Sequence, residues 1–342
     1  MSDQESGVAR VGVGALDGEP AVQLAAGELE ASFLPRLGLL GASLRHRGEE
    51  LLALPGGIAG YRGGHVTGLP LLAPWANRLP GRRYRAAGTE VDLEGLALQT
   101  DPGGLPIHGT LTAHPGWRLE RLAAEADRAV LEASFDYGAF PELLAAFPFP
   151  HRLTVTATLG PAGLEVATAL AATGDRPVPV AFGWHPYLRL PGAPRATWRL
   201  LLPHRRHLEL DDRGLPTGRA ADEPAEADPV GERTFDDLYA LAGDPGPGQD
   251  PVGERTYDDL YALEADAAGR RLGLEAAGRR LLVGYGPGYD YAQVFAPPGA
   301  EFVCLEPMTG PTAALAAGTT PLVAPGGRFT ATFSLRVEDA EP

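Results

Sequence analysis

Lysine is missing from all 342 residues, so the 29 cationic side chains are all arginines. That absence excludes chemistries requiring a lysine amine at a fixed place: Schiff-base aldolases, pyridoxal-phosphate enzymes and the Walker A phosphate loop. Cysteine is reduced to Cys304, which alone forms neither an internal disulfide nor a cysteine-rich metal site. No stretch approaches the roughly 18 consecutive apolar residues of a membrane span, and no basic segment followed by an apolar one opens the chain. A cytoplasmic location is expected. Positive charge is scarce against 44 acidic residues, and the net charge of -15 sets a field that repels nucleic acid and anionic membranes. Asparagine is represented by Asn77 alone. Abundant Ala, Gly, Pro and Arg fit a GC-rich coding bias that drains Lys and Asn from neutral positions, which makes a surviving Asn a candidate for a specific role.

What remains is ordinary globular composition, with 44% hydrophobic and 21% charged residues. The pattern is β almost throughout. Phe329, Ala331, Phe333, Leu335 and Val337 alternate with polar residues, as one wet and one buried strand face require. Leu153 to Leu159 and Leu164 to Leu170 alternate likewise around the turn-forming Gly160-Pro161-Ala162-Gly163, which predicts a hairpin. Further strands are expected over residues 27–33, 84–93, 129–135, 198–202 and 280–285, and short helices only over 142–146 and 312–317. Many short strands, punctuated by 45 Gly and 33 Pro, predict an all-β chain folded as a large antiparallel β-sandwich. Rossmann and TIM architectures need longer helices between strands. The first 20 residues, polar and Gly-rich, read as a loose terminus before a single domain over residues 21–342.

One segment occurs twice. Asp228 to Leu241 recurs as Asp250 to Leu263 with a single difference, Phe235 against Tyr257. Two copies do not make a solenoid. A tandem duplication within one loop, over residues 228–263, leaves two Asp-Asp-Leu-Tyr segments competing for one structural position.

Several residues sit in settings suited to chemistry. His108, in Pro106-Ile107-His108-Gly109, and His185, in Gly183-Trp184-His185-Pro186-Tyr187, are flanked by turn formers, and loops and strand ends are where sites gather. Taken singly, each reads first as a hydrogen-bonded structural histidine, and neither has the spacing of a metal site. Glu306 follows the apolar run Phe302-Val303-Cys304-Leu305. There it is either a desolvated carboxyl, with its pKa raised toward that of a general base, or an ordinary strand-end residue. Asn77-Arg78 lies among large apolar residues, where a guanidinium binds hydroxyl or carboxylate oxygens or forms a structural salt bridge.

Taken in order, Asn77-Arg78, His108-Gly109, Trp184-His185-Pro186-Tyr187, an Asp-Asp segment past residue 230 and Glu306-Pro307 resemble the aldose 1-epimerase (galactose mutarotase) family, over roughly Gly68 to Val337. The resemblance implies a β-supersandwich that interconverts the α and β anomers of a free aldohexose. Glu306 would be the general base and His185 the general acid. Arg78, His108, Asn77 and one aspartate, Asp236 or Asp258, would hold the sugar. Asp258 is favoured by running directly into the hairpin at 270–285, while distance from the Pro216-Thr217-Gly218 turn favours Asp236 equally. No cofactor or metal is implied, the partner is a small-molecule sugar, and the chain is a monomer or homodimer.

Such chemistry removes the proton of the anomeric hydroxyl while delivering one to the ring oxygen, so acid and base are expected to flank the C1 to ring-oxygen bond. An ionised Glu306 is expected to raise the pKa of His185. Trp75, Trp184 and Tyr187 are candidate ring faces for a pyranose. Two rival readings stand beside this one: a hexose-6-phosphate 1-epimerase, with Arg82, Arg83 and Arg85 as phosphate donors, and a non-catalytic sugar-binding protein of the same fold.

Overall fold

The computed structural model describes residues 8–241 and 270–340. Two large antiparallel sheets dominate, giving the expected all-β sandwich. The first has nine strands, with Arg328–Asp339 between Arg279–Tyr285 and Gly163–Ala172. The strict alternation of Arg328–Asp339 puts Ala331, Phe333 and Leu335 inside. The hairpin expected around Gly160 is present, pairing His151–Gly160 with Gly163–Ala172.

The second sheet has eight strands. In its middle Phe235–Leu241, Tyr291–Ala296 and Val303–Met308 lie side by side, and the short strands Gly183–Trp184 and Tyr187–Leu188 pair with Val303–Met308. This sheet carries the site. Trp184, Phe182, Tyr289 and Phe333 interlock where the two sheets meet, with ring centroids 5.8 to 6.0 Å apart. The Trp184 indole N–H finds its partner across the interface, donating to Thr168 Oγ1 at 3.0 Å, as most buried indoles do. Trp75 and Trp184 are therefore core residues and not sugar platforms, being 1% and 0% exposed.

Three expectations are corrected. Arg10–Leu16 is a strand hydrogen-bonded to Glu19–Ala26, so the terminus is not loose from Arg10 onward. Its residues are mostly exposed on both faces, which is why no alternation marks it; the Asp17-Gly18 turn and the ladder hold it. Residues 84–93 form two strands, Arg83–Ala86 and Thr89–Asp92, because Ala87 and Gly88 both take positive φ and reverse the chain. Helix is indeed scarce at Pro141–Leu144 and Ala314–Ala317, but Gly57–Arg62 adds a turn that its glycines concealed. No helix among the described residues is long and apolar enough to cross a membrane.

Candidate active site

Three strands set the floor of the site by register alone. Gln293 lies opposite Glu306 on one side of Val303–Met308. On the other side Gly183 pairs with Met308 and Tyr187 with Cys304, which leaves His185 level with Glu306. The polar row Gln293, Glu306, His185 thus runs straight across the sheet. His185 Nε2 lies 3.2 Å from Glu306 Oε1, and the two residues are 5% and 1% exposed. Packing fixes the imidazole, which stacks on Tyr187 at 4.6 Å between centroids and meets His108 edge-on at 5.4 Å.

A second wall comes from two loop segments that pair with each other. Leu79 N–H donates to Pro106 O, and His108 N–H donates to Asn77 O at 3.1 Å. Asn77 and His108 both adopt the left-handed conformation, with φ of 56° and 63°. Asn tolerates that region better than other L-residues, which accounts physically for the one asparagine of the chain. Gly109 is required beside them, since a Cβ there would lie 2.1 Å from Ala73 O.

Arg78 projects from this wall into a network. Its Nε donates to Asp101 Oδ2 at 2.8 Å, Nη1 to Asn77 Oδ1 at 3.1 Å and Nη2 to Asp236 Oδ2 at 3.3 Å. Gln293 Nε2 donates to the other oxygen of Asp236 at 2.6 Å. The network therefore links the wall to the sheet. Together these residues line a cleft of about 1400 Å³ that also includes Tyr187 and Phe295. Glu306 Oε2, Gln293 Oε1, His108 Nδ1 and His185 Nδ1 are buried without a protein hydrogen-bond partner. Such unmet capacity concentrated in one place is a mark of a ligand site.

Every expected site residue within the described part of the chain is drawn to this cleft: Asn77, Arg78, His108, His185, Asp236 and Glu306. Asp258 lies outside the described residues. Asp101 and Gln293 were not singled out from the sequence. Gln293 had a signal, a lone amide within the apolar strand Tyr-Ala-Gln-Val-Phe-Ala, whereas Asp101 in Asp-Pro-Gly-Gly reads as a plain turn former. Arg82 is engaged by the Leu93 and Leu96 carbonyls and Arg83 by Asp92, and neither they nor Arg85 is among the cleft-lining residues.

Electrostatics overturn one expectation. Burial lowers the His185 pKa to about 3 instead of the Glu306 charge raising it. Burial also pushes Glu306 well above the usual carboxyl range, with Asp236 adding to the rise and Arg78 opposing it. Desolvation of two charges outweighs their attraction here. The pair rests uncharged, and its 3.2 Å contact is then a carboxyl O–H donating to Nε2. The ion-paired form holds the same number of protons, so one proton shift converts one into the other.

Buried neutral histidines also make stability acid-sensitive. Burial holds His108 well below the ordinary 6.5, His151 at about 4 and His185 at about 3. The unfolded chain takes up these protons first. The stability they contribute is whole above pH 6.5 and drains away as pH falls toward the folded values. Burial raises the carboxyls of Glu306 and Asp237, which act in the opposite sense and offset part of this. The melting temperature is expected to fall steadily from pH 7 to pH 4.5 by calorimetry. His151→Phe, which preserves the ring stacked on Tyr137, should reduce the dependence by one proton; an unchanged slope would refute it.

The architecture agrees with comparisons to known proteins. The family model for aldose 1-epimerase matches residues 26–336, and the chain belongs to that family. A galactose mutarotase-like protein from Clostridium acetobutylicum superposes with a TM-score of 0.77 at 18% identity, covering 96% of this chain and 98% of the other. A putative aldose 1-epimerase from Escherichia coli gives 0.67 at 19% identity, with coverages of 93% and 98%. A GalM/aldose epimerase homologue from C. elegans gives 0.68 at 16% identity, with coverages of 97% and 100%. At these identities the structures establish a shared fold. No curated protein matches the chain.

Proposed function

We propose that this protein is an aldose 1-epimerase that interconverts the anomers of a free aldohexose. The observation that carries the reading is the 3.2 Å contact between His185 Nε2 and Glu306 Oε1 on the floor of the cleft, with Arg78, His108 and Asp236 around it. O1 and the ring oxygen are both bonded to C1 and lie close together. A contacting acid and base on one floor therefore suit them.

The reaction would begin with a proton shift from Glu306 to His185, which leaves a carboxylate and an imidazolium. The positive Arg78 favours the ionised Glu306. Glu306 then accepts the O1 proton while His185 delivers its proton to the ring oxygen, and the C1 to ring-oxygen bond opens to the aldehyde. Rotation about C1–C2 presents the other carbonyl face. Reversed transfers close the ring as the other anomer, with Arg78, His108 and Asp236 holding hydroxyls through the turn. Charge is conserved at every stage, and no electron transfer is involved.

Polarimetry on freshly dissolved α-D-glucose and α-D-galactose tests the reading, which requires faster relaxation with enzyme than without. Free sugars are expected to relax faster than their 6-phosphates at equal concentration, because Arg82 and Arg83 are already engaged away from the cleft. Preference for the phosphates would favour the hexose-6-phosphate reading. Tight sugar binding with no acceleration would favour a non-catalytic sugar-binding protein.

A further inference from the structure

Arg78 is held between two carboxylates that differ in their surroundings. Asp236 is shared with Gln293, and its side chain is 44% exposed. The Asp101 side chain is 7% exposed and divides its oxygens between two tasks. Oδ2 accepts from Arg78 Nε at 2.8 Å, and Oδ1 accepts from the Leu105 N–H at 2.8 Å. The Asp101 N–H donates back to Leu105 O at 2.9 Å, closing the turn that leads into Pro106, Ile107 and His108. On the guanidinium's other side Gly214 packs so closely that a Cβ would lie 2.9 Å from Cζ. Asp101 thus ties the guanidinium and the His108 segment to one carboxylate.

We infer that Asp101 is a positioning residue, which sets Arg78 relative to His108 so that both can hold sugar hydroxyls without Asp101 touching the sugar. With Nε occupied by Asp101 and Nη1 by Asn77, Arg78 keeps Nη2 for the cleft, where it engages Asp236 only partly, at 3.3 Å. Without Asp101 the guanidinium has one strong acceptor left. It closes onto Asp236 and withdraws both from the sugar. An interaction made equally in ground and transition states changes KM and spares kcat.

This inference rests on the epimerase reading, so wild-type mutarotation of glucose is the control; no acceleration there defeats that reading before Asp101 is considered. Asp101→Asn is expected to raise KM about tenfold, the effect of losing one modest charge-assisted hydrogen bond, with kcat within about twofold. The decisive measurement is a double-mutant cycle with Arg78→Gln. If Asp101 acts through Arg78, adding Asp101→Asn to Arg78→Gln changes kcat/KM little further. Asp101→Glu, which retains the charge, should recover part of the KM loss and serves in the cycle if the Asn variant does not fold. Additive effects in the cycle, or a loss confined to kcat, would overturn the inference.

Discussion

Glu306→Gln is expected to slow enzyme-catalysed mutarotation by roughly 10²- to 10⁴-fold, the usual contribution of a positioned proton-transfer group. Gln has nearly the same shape as the protonated carboxyl that burial imposes on Glu306. The variant should therefore fold as the wild type does, and its amide can keep a hydrogen bond to His185. What it lacks is the ability to take the O1 proton. Polarimetry under saturating glucose reads the effect on kcat, and thermal melting separates it from any loss of structure. Wild-type turnover in a folded Glu306→Gln protein would remove the base from the proposed mechanism.

His185→Phe should produce a loss of similar size by a different route. The Phe ring retains the stack on Tyr187 and the edge contact with His108, so geometry is largely preserved while the proton carrier is removed. It also leaves Glu306 buried without its partner, which stabilises the neutral carboxyl further and lowers the fraction able to act as base. Combining the two substitutions should cost little more than either alone, because the pair works as a unit. The wild-type pH profile adds a separate check. The resting and ion-paired forms hold equal numbers of protons, so kcat/KM should show no histidine titration near 6.5, since burial lowers the His185 pKa to about 3. A histidine titrating near its ordinary 6.5 in that profile would show that the pair rests in another protonation state.

Much of the fold was legible because period-two alternation records burial directly. Arg328–Asp339 and the hairpin around Gly160 sit where their patterns put them, inside the nine-stranded sheet. Arg10–Leu16 was not legible, since a strand wet on both faces writes no pattern. The division of residues 84–93 into a hairpin depends on Ala87 at positive φ, a conformation that alanine does not advertise. Trp75 and Trp184 were readable as large apolar side chains, but whether they met a ligand or the core depended on which face of the sheet packed inward.

The sequence by itself determined the class of fold, the exclusion of lysine-dependent chemistry and the candidate residues Asn77, Arg78, His108, His185, Glu306 and one of Asp236 and Asp258. Each of these stands in a local setting of turn formers, apolar runs or a distinctive repeat. Only the tertiary structure decided which of them meet. Antiparallel register sets His185 beside Glu306, 121 positions away in the chain, and no local pattern encodes that pairing. The contacts of Asp101 and Gln293 and the burial that favours the uncharged forms of His185 and Glu306 were likewise decided there. They arise from desolvation and from hydrogen bonds between distant segments, quantities that exist only once the chain has closed around them.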